Sequence, residues 1–202
     1  MSKTKPYQPF LLRLFHNING LLVIACIITG FLVYDSWDGR FGKIGLTIKN
    51  RSLIDIHGTF AFALFFVFLG FIIVSIKVGK SRLVKSDDWQ KLTKNVGKNI
   101  WWYTLHRAVN TTILFSAILS IGSGKFQNEN WLANGEIYHF WYSLHLISWL
   151  IMLLAIATHL LMSTKVGGYP LILSMFNTKY MPQESPKLWL EKIIVWLKHP
   201  RW

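Results

Sequence analysis

Cysteine is almost absent from this sequence, and its scarcity excludes several kinds of chemistry. Cys26 is the only cysteine among the 202 residues, so the chain cannot form an intrachain disulfide bond. It has no C-x-x-C-H motif, which rules out covalent haem attachment of the c type. One thiolate cannot hold an iron–sulfur cluster, so a cluster bound by this chain alone is excluded as well.

Acidic residues are also scarce, and charge of either sign is low. The chain has 9 acidic and 22 basic residues; 15% of all residues are charged and 52% are hydrophobic. This composition, with a mean hydropathy of +0.34, is typical of a small polytopic membrane protein and not of a soluble domain. The net charge of +13 does not indicate nucleic-acid binding, because the basic residues flank apolar runs instead of lining one face.

Four apolar runs lie at about residues 15–34, 53–76, 101–121 and 137–163. Each is long enough to cross a bilayer as a helix, so we predict an all-α membrane protein built as a four-transmembrane-helix bundle. The basic start before the first run resembles a signal peptide. However, the run is too long for one and no small-residue cleavage site follows it, so we expect a retained first span.

Lys and Arg are distributed unevenly between the two sides of the predicted bundle. The N-terminal segment, the loop between the second and third spans and the tail together contain 16 of them, whereas the other two loops contain 5. Because basic residues favour the cytoplasmic side, we predict that both termini are cytoplasmic. In the tail, 176–202, an amphipathic segment after Ser185-Pro186 predicts an interfacial helix lying on the membrane. The apolar face of that helix consists of Trp189, Leu190, Ile193, Ile194, Trp196 and Leu197.

The fourth run contains no acidic or basic residue except histidine, and the spacing of its histidines is informative. His145 and His159 are 14 residues apart, which is close to four helical turns, so both rings lie on one face about 21 Å apart. His139 lies about 120° away from that face. An ionisable residue within a span is a candidate functional residue, so this helix offers a metal ligand near each side of the membrane.

Membrane depth pairs these two histidines with two others. His16 of the first span meets His159 at the cytoplasmic side, and His57 of the second span meets His145 at the far side. Bis-histidine ligation of a b-type haem needs two neutral imidazoles that face each other across the iron from different helices. A single interfacial histidine more often packs or forms hydrogen bonds, whereas four at matching depths favour ligation. Small residues near the ligands leave space for a flat macrocycle, namely Gly20, Gly58 and Ala155.

Basic residues near each predicted site are candidate partners for the anionic haem propionates. Arg13, Arg107 and Lys165 lie near the cytoplasmic site, and Arg51 lies near the other. No Asp or Glu lies deep in a span, which argues against a proton-coupled transporter. A haem-free membrane anchor would leave the histidine pattern unexplained. His199, in the tail, is interpreted as a surface residue.

The sequence resembles a known family in four segments. These segments are LLRLFHNINGLLVIACIITG, IDIHGTFAFALFF, LHRAVN and YSLHLISWLIMLLAIATHLL. Ligands on the first and second of four spans, with two more 14 residues apart on the fourth, are similar to the prokaryotic di-haem cytochrome b superfamily. That superfamily includes bacterial cytochrome b561, the b-type cytochrome of nickel–iron hydrogenase and the gamma subunit of membrane formate dehydrogenase. The resemblance covers about residues 10–175 and implies one four-helix di-haem domain there.

The resemblance implies two haem b groups, an outer one on His57 and His145 and an inner one on His16 and His159. It also implies a pocket for quinone, as an exchangeable substrate, beside the inner haem at the start of the third span. The residues in that place are His106, Arg107 and Asn110. Histidine can exchange protons near neutral pH, and arginine is a fixed cation.

Two functions remain open from the sequence. The first is an electron-transfer subunit of a redox complex, which is a component of an oxidoreductase that exchanges electrons with membrane quinone. Its other partner would be a redox subunit or a small electron carrier. The alternative is a stand-alone cytochrome b561-type oxidoreductase that links quinone to a small oxidant or reductant. Both place the chain in a bacterial inner membrane or an equivalent energy-transducing membrane, as a multi-pass protein surrounded by lipid.

Overall fold

The computed structural model describes residues 7–46, 48 and 50–199, and four long helices make up most of it. These are α1 (Phe10–Trp37), α2 (Ser52–Lys77), α4 (Asn99–Lys125) and α6 (Phe140–Phe176). The shorter helices are α3 (Asp88–Lys94), α5 (Asn130–Ala133) and α7 (Trp189–Lys198), and 3₁₀ turns occur at Lys80–Arg82, Pro182–Glu184 and Pro186–Leu188. The described residues contain no strand, which confirms the all-α prediction.

The long helices extend beyond the apolar runs that predicted them. Helical hydrogen bonding continues through polar residues at the ends of each helix, whereas the sequence pattern marks only the apolar stretch. Among the described residues, α1, α2 and α6 are long and apolar enough to span a membrane. The fourth long helix, α4, has 27 residues but is interrupted by polar side chains along its length. The four-span count therefore stays a prediction.

The long helices pack as two pairs. α1 packs along α2, and α4 packs along α6. The pairs meet around an apolar core of Val23, Leu64, Phe68, Ala117 and Met152. Within the first pair, a Cβ atom added at Gly70 would collide with the ring of Phe15, so α1 and α2 approach this closely because residue 70 has no side chain.

A compact loop after α1 ties the first helix pair to the second. The Asp35 carboxylate accepts hydrogen bonds from the backbone N–H groups of Ile44 and Leu46. Arg40 donates to the carbonyl oxygen of Ile137 at 2.7 Å and pairs with Asp38 at 3.0 Å. Tyr142 of α6 donates to the same Asp38 carboxylate at 3.0 Å. These contacts fix the start of α6 against the end of α1; this end of the bundle is called the outer end below.

The opposite end, called the inner end, is closed by the last part of α6. Gly168 has φ 64, a left-handed conformation that favours glycine, and Pro170 follows it, so the helix is kinked there. Beyond the kink the chain turns to the start of α1. Asn17 donates to the carbonyl oxygen of Met175 at 2.9 Å. The buried Arg13 donates to backbone carbonyl oxygens of residues that follow Met175 in the chain.

The tail from residue 176 packs against the start of α1. The Phe10 ring lies 5.3 Å from the Tyr180 ring and 6.0 Å from the Trp189 ring, measured between centroids. The predicted tail helix is present as α7, after a 3₁₀ turn that begins at Pro186. Of its predicted apolar face, the side chains of Leu190, Ile193, Trp196 and Leu197 lie outside the described residues, as do residues 200–202 of the tail.

Candidate functional site

Four histidines face one another as two pairs at different depths of the bundle. The rings of His57 on α2 and His145 on α6 are 6.1 Å apart between centroids, with planes at 82°. The rings of His16 on α1 and His159 on α6 are 6.2 Å apart, with planes at 38°. All four are half-buried. The structure thus brings together the same two pairs that membrane depth indicated, one toward each end.

His57 of the outer pair is oriented by Thr29 and Gly30 of α1. Its Nδ1 lies 2.9 Å from the Thr29 hydroxyl oxygen. That hydroxyl donates its proton to the Ala25 carbonyl at 2.7 Å, so its oxygen accepts from His57, which must carry the proton on Nδ1. A Cβ atom added at Gly30 would lie 3.1 Å from the His57 ring, so the ring occupies space that only glycine leaves open.

His145 is oriented in the same way by α4. Its Nδ1 lies 3.0 Å from the Ser120 carbonyl oxygen and 3.2 Å from the Ser123 hydroxyl. A carbonyl oxygen only accepts, so His145 also carries its proton on Nδ1. A Cβ atom at Gly124 would lie 3.2 Å from the ring. The dipeptides Thr29-Gly30 and Ser123-Gly124 are therefore equivalent on the two sides of the outer pair. In each, the hydroxyl group lies at hydrogen-bond distance from a histidine Nδ1, and the glycine leaves space for the imidazole ring.

At the inner pair, Asn110 of α4 orients His159. The Asn110 amide nitrogen donates to the Arg82 carbonyl at 3.0 Å, which leaves its amide oxygen to accept from His159 Nδ1 at 2.8 Å. His159 thus has the same tautomer as the outer histidines. His16 differs, because its buried Nδ1 has no hydrogen-bond partner within the described residues.

These observations fit ligation of haem iron. With the proton on Nδ1, the lone pair of Nε2 is free for a metal in His57, His145 and His159. Two metal–nitrogen bonds of about 2.0 Å, plus about 1 Å from each nitrogen to its ring centre, give a centroid separation of about 6 Å. Both pairs have that separation. The described residues contain no cluster of three or more metal-ligating side chains.

Open space beside the ligands fits a flat macrocycle. A Cβ atom added at Gly20 or Gly58 would meet no atom within 4 Å, although Gly58 lies on the exposed side of its helix, whereas Ala155 is buried. A cleft beside the outer pair extends to the middle of the bundle. Its lining includes Cys26, Ala61, Leu64, Ala117, Trp149 and Met152.

The three residues considered for quinone have different surroundings. The His106 ring lies 5.2 Å from the His159 ring, and His106 Nε2 lies 3.3 Å from the Ser163 hydroxyl. Arg107 forms an ion pair at 2.5 Å with Asp88, which is fully buried. Asn110 has protein partners for both ends of its amide. The start of α4 therefore does border the inner pair, but all three side chains already have protein partners.

The cations considered for the propionates also have protein partners. Arg13 binds backbone carbonyl oxygens, Lys165 lies over the Trp102 ring at 5.2 Å, and Arg51 pairs with Glu129 at 3.0 Å. Sequence reasoning missed Arg82, whose guanidinium lies within electrostatic range of the His16 and His106 rings. No signal in the sequence placed this loop residue there, because its position depends on how the loop folds onto α4.

The two remaining histidines described lie away from both pairs. His139 caps the start of α6, where its ring stacks on Trp131 at 3.7 Å between centroids and its Nε2 lies 3.1 Å from a Glu136 carboxylate oxygen. His199 follows α7 in the exposed part of the tail.

A bundle of long apolar helices with facing histidine pairs defines a membrane-bound cytochrome of the b type. The family model described as prokaryotic cytochrome b561 matches residues 7–178, and no curated protein or solved structure matches the chain. The chain belongs to the prokaryotic cytochrome b561 family, as the resemblance had indicated. It is accordingly a multi-pass bacterial membrane protein of a family that binds b-type haem and transfers electrons across the membrane.

Proposed function

We propose that the chain holds two b-type haems in series and passes electrons between a donor or acceptor at the outer end and membrane quinone at the inner end. His57 and His145 would hold the outer haem, and His16 and His159 the inner one. The observation that carries this proposal is the pair of ring separations, 6.1 and 6.2 Å, combined with the tautomers fixed by the neighbouring groups. Bis-imidazole haem iron takes up and releases one electron without a change of ligand.

The protein supports this function by fixing both sites on one helix. His145 and His159 are about 21 Å apart along α6, and the apolar core of Val23, Leu64, Phe68, Ala117 and Met152 fills the bundle between them. This core keeps water out and holds the four helices at a constant spacing. At the inner end, Arg82, whose guanidinium also binds the Gln8 amide oxygen, would supply positive charge for anionic propionates.

The direction of transfer across the membrane rests on the topology, which can be tested directly. We expect four spans with the inner end cytoplasmic, because Lys and Arg are concentrated on that side. Reporter fusions after Lys85 and after Trp202 should therefore score as cytoplasmic, and a fusion after Phe126 as external. The opposite pattern would exchange the inner and outer ends, and equal scores at Lys85 and Phe126 would remove α4 as a span.

We propose that quinone binds beside the inner pair at the start of α4, where His106 supplies its main contact. His106 is near His159, and its Nε2, which lies 3.3 Å from the Ser163 hydroxyl, would donate to a quinone carbonyl in place of that hydroxyl. Arg107 and Asn110 would shape this pocket through the partners that they already hold. The same position next to the inner haem would let electrons pass directly between quinone and haem.

His106→Ala should slow reduction of the inner haem by a quinol analogue by about 10-fold, the effect of losing one hydrogen bond. Stopped-flow spectroscopy of purified protein measures this rate, and both haems should remain bound. His139→Ala is a matched control, because His139 lies at the outer end of α6 and its replacement should leave the rate unchanged. A wild-type rate in His106→Ala would place the quinone site elsewhere.

The wider role that we propose is that of the cytochrome b subunit of a redox complex. The family resemblance of the sequence supports it, since related subunits link a partner's redox reaction to quinone. Purification of the native protein under mild detergent conditions should then yield a second, redox-active subunit. Full turnover of quinol with a small soluble oxidant by the purified chain alone would instead favour the stand-alone oxidoreductase.

A further inference from the structure

Asn110 connects a proposed haem ligand to a loop outside the long helices. Its amide oxygen accepts from His159 Nδ1 at 2.8 Å, and its amide nitrogen donates to the Arg82 carbonyl at 3.0 Å. The amide cannot turn over without facing two donors or two acceptors toward each other. The position of the Arg82 backbone therefore determines which atom of Asn110 faces His159.

The loop that carries Arg82 is held on α4 at three successive points. Besides the bond from Asn110, the Val84 backbone N–H donates to the Thr111 hydroxyl at 3.0 Å. Arg107 then pairs with Asp88 at 2.5 Å, and the Asp88 carboxylate also accepts from the Lys85 backbone N–H at 2.9 Å. One face of α4 thus fixes the loop from residue 82 to residue 88, and the bond nearest the histidine pair is the one that passes through Asn110.

Among the residues that the structure describes, no such connection reaches the outer pair. The groups that accept from His57 and His145 belong to residues inside α1 and α4. Their hydrogen bonds depend only on helix packing. The inner pair alone is coupled, through an amide side chain, to a segment that lies at the surface of the bundle.

We propose that Asn110 is a positioning residue that fixes the tautomer and orientation of His159 and makes the ligand strength of the inner haem depend on the loop at residues 82–88. This inference rests on the proposed haem ligation. A stronger acceptor at Nδ1 makes the imidazole a better donor to iron and stabilises the oxidised form, whereas loss of the acceptor has the opposite effect. A displacement of the loop would change the midpoint potential of the inner haem and leave that of the outer haem unaffected.

The test is a redox titration, followed by optical spectroscopy, of the purified haem-loaded chain and two variants. Asn110→Asp places a carboxylate against His159 and should lower the midpoint potential of the inner haem. Asn110→Leu removes the acceptor, should raise that potential, and should speed loss of the inner haem by roughly 10-fold. The outer haem should keep its wild-type potential in both variants.

Two further variants separate positioning from simple disruption. Thr111→Val releases the loop at Val84 without touching His159, and it should shift the inner potential in the same direction as Asn110→Leu, but less. Thr29→Val, the equivalent change at His57, should move only the outer potential. Shifts of the same sign in Asn110→Asp and Asn110→Leu, equal shifts of both haems, or no shift would overturn the inference. Absence of haem from the wild-type chain would instead overturn the proposed function.

Discussion

Replacing His145 with Ala should remove one of two haem components from the optical spectrum, and replacing His57 with Ala should remove the same one. Both side chains belong to the outer pair, whose rings are 6.1 Å apart, and bis-imidazole ligation fails when either imidazole is lost. The haem content of each variant should fall from about two equivalents per chain to about one. Reduced-minus-oxidised spectra at low temperature, recorded on matched amounts of purified protein, measure the loss.

The control for these two variants is a substitution beside the ligands that leaves both histidines in place. Thr29→Val removes the acceptor of His57 Nδ1 but keeps the imidazole, so the outer component should remain in the spectrum. If His57→Ala and His145→Ala removed different components, the two side chains would not share a haem. The assignment of the outer site would then be wrong.

Replacing His159 or His16 with Ala should remove the other component and also stop reduction of the remaining haem by quinol. The inner pair lies next to His106 at the start of α4, where we place quinone, so electrons from quinol must enter there. The outer haem should stay bound and should still be reduced by dithionite, since its ligand His145 lies about 21 Å from His159 along α6 and its other ligand, His57, is on α2. Stopped-flow reduction with quinol and with dithionite, on the same preparations, separates the two effects.

His199→Ala serves as the control for general damage, because His199 lies in the tail after α7 and touches neither pair. It should retain both components and the wild-type rate with quinol. Rapid quinol reduction of the outer haem in His159→Ala would contradict the order of the two sites, even if the inner component were lost as expected.

The histidine pairs could be predicted from the sequence because helix geometry is regular. Fourteen residues between His145 and His159 put both rings on one face. Membrane depth then pairs His145 with His57 and puts His16, together with His106, at the level of His159. The structure places the rings of these same pairs at close range. The family assignment from the same residues is confirmed by the family match over residues 7–178.

The groups that orient the histidines could not be predicted in the same way. Thr29, Ser120 and Asn110 each serve a histidine on another helix, and the rotation of one helix against its neighbour is not encoded in the periodicity of either. Asn110 is an example. Its depth suggested a contact with quinone, but its amide forms hydrogen bonds with His159 and Arg82. Arg107 was similarly expected at a ligand, but it pairs with Asp88 of α3.

The apolar pattern also could not predict where the helices begin and end. The fourth run predicted a span over 137–163, but α6 begins at Phe140 and continues to Phe176. His139 becomes the residue before the helix, and the kink at Gly168 carries the chain back to Arg13 and Asn17. Long-range contacts of this kind depend on tertiary packing and leave no periodic signal in the sequence.

The haem content of the purified chain tests the central claim most directly. A pyridine haemochrome assay on protein expressed with ample haem supply, related to protein mass by amino-acid analysis, should give non-covalent protohaem at about two equivalents per chain. The two pairs, His57 with His145 and His16 with His159, account for that value. A content near one would leave one pair without iron, and a content near zero would contradict the account as a whole.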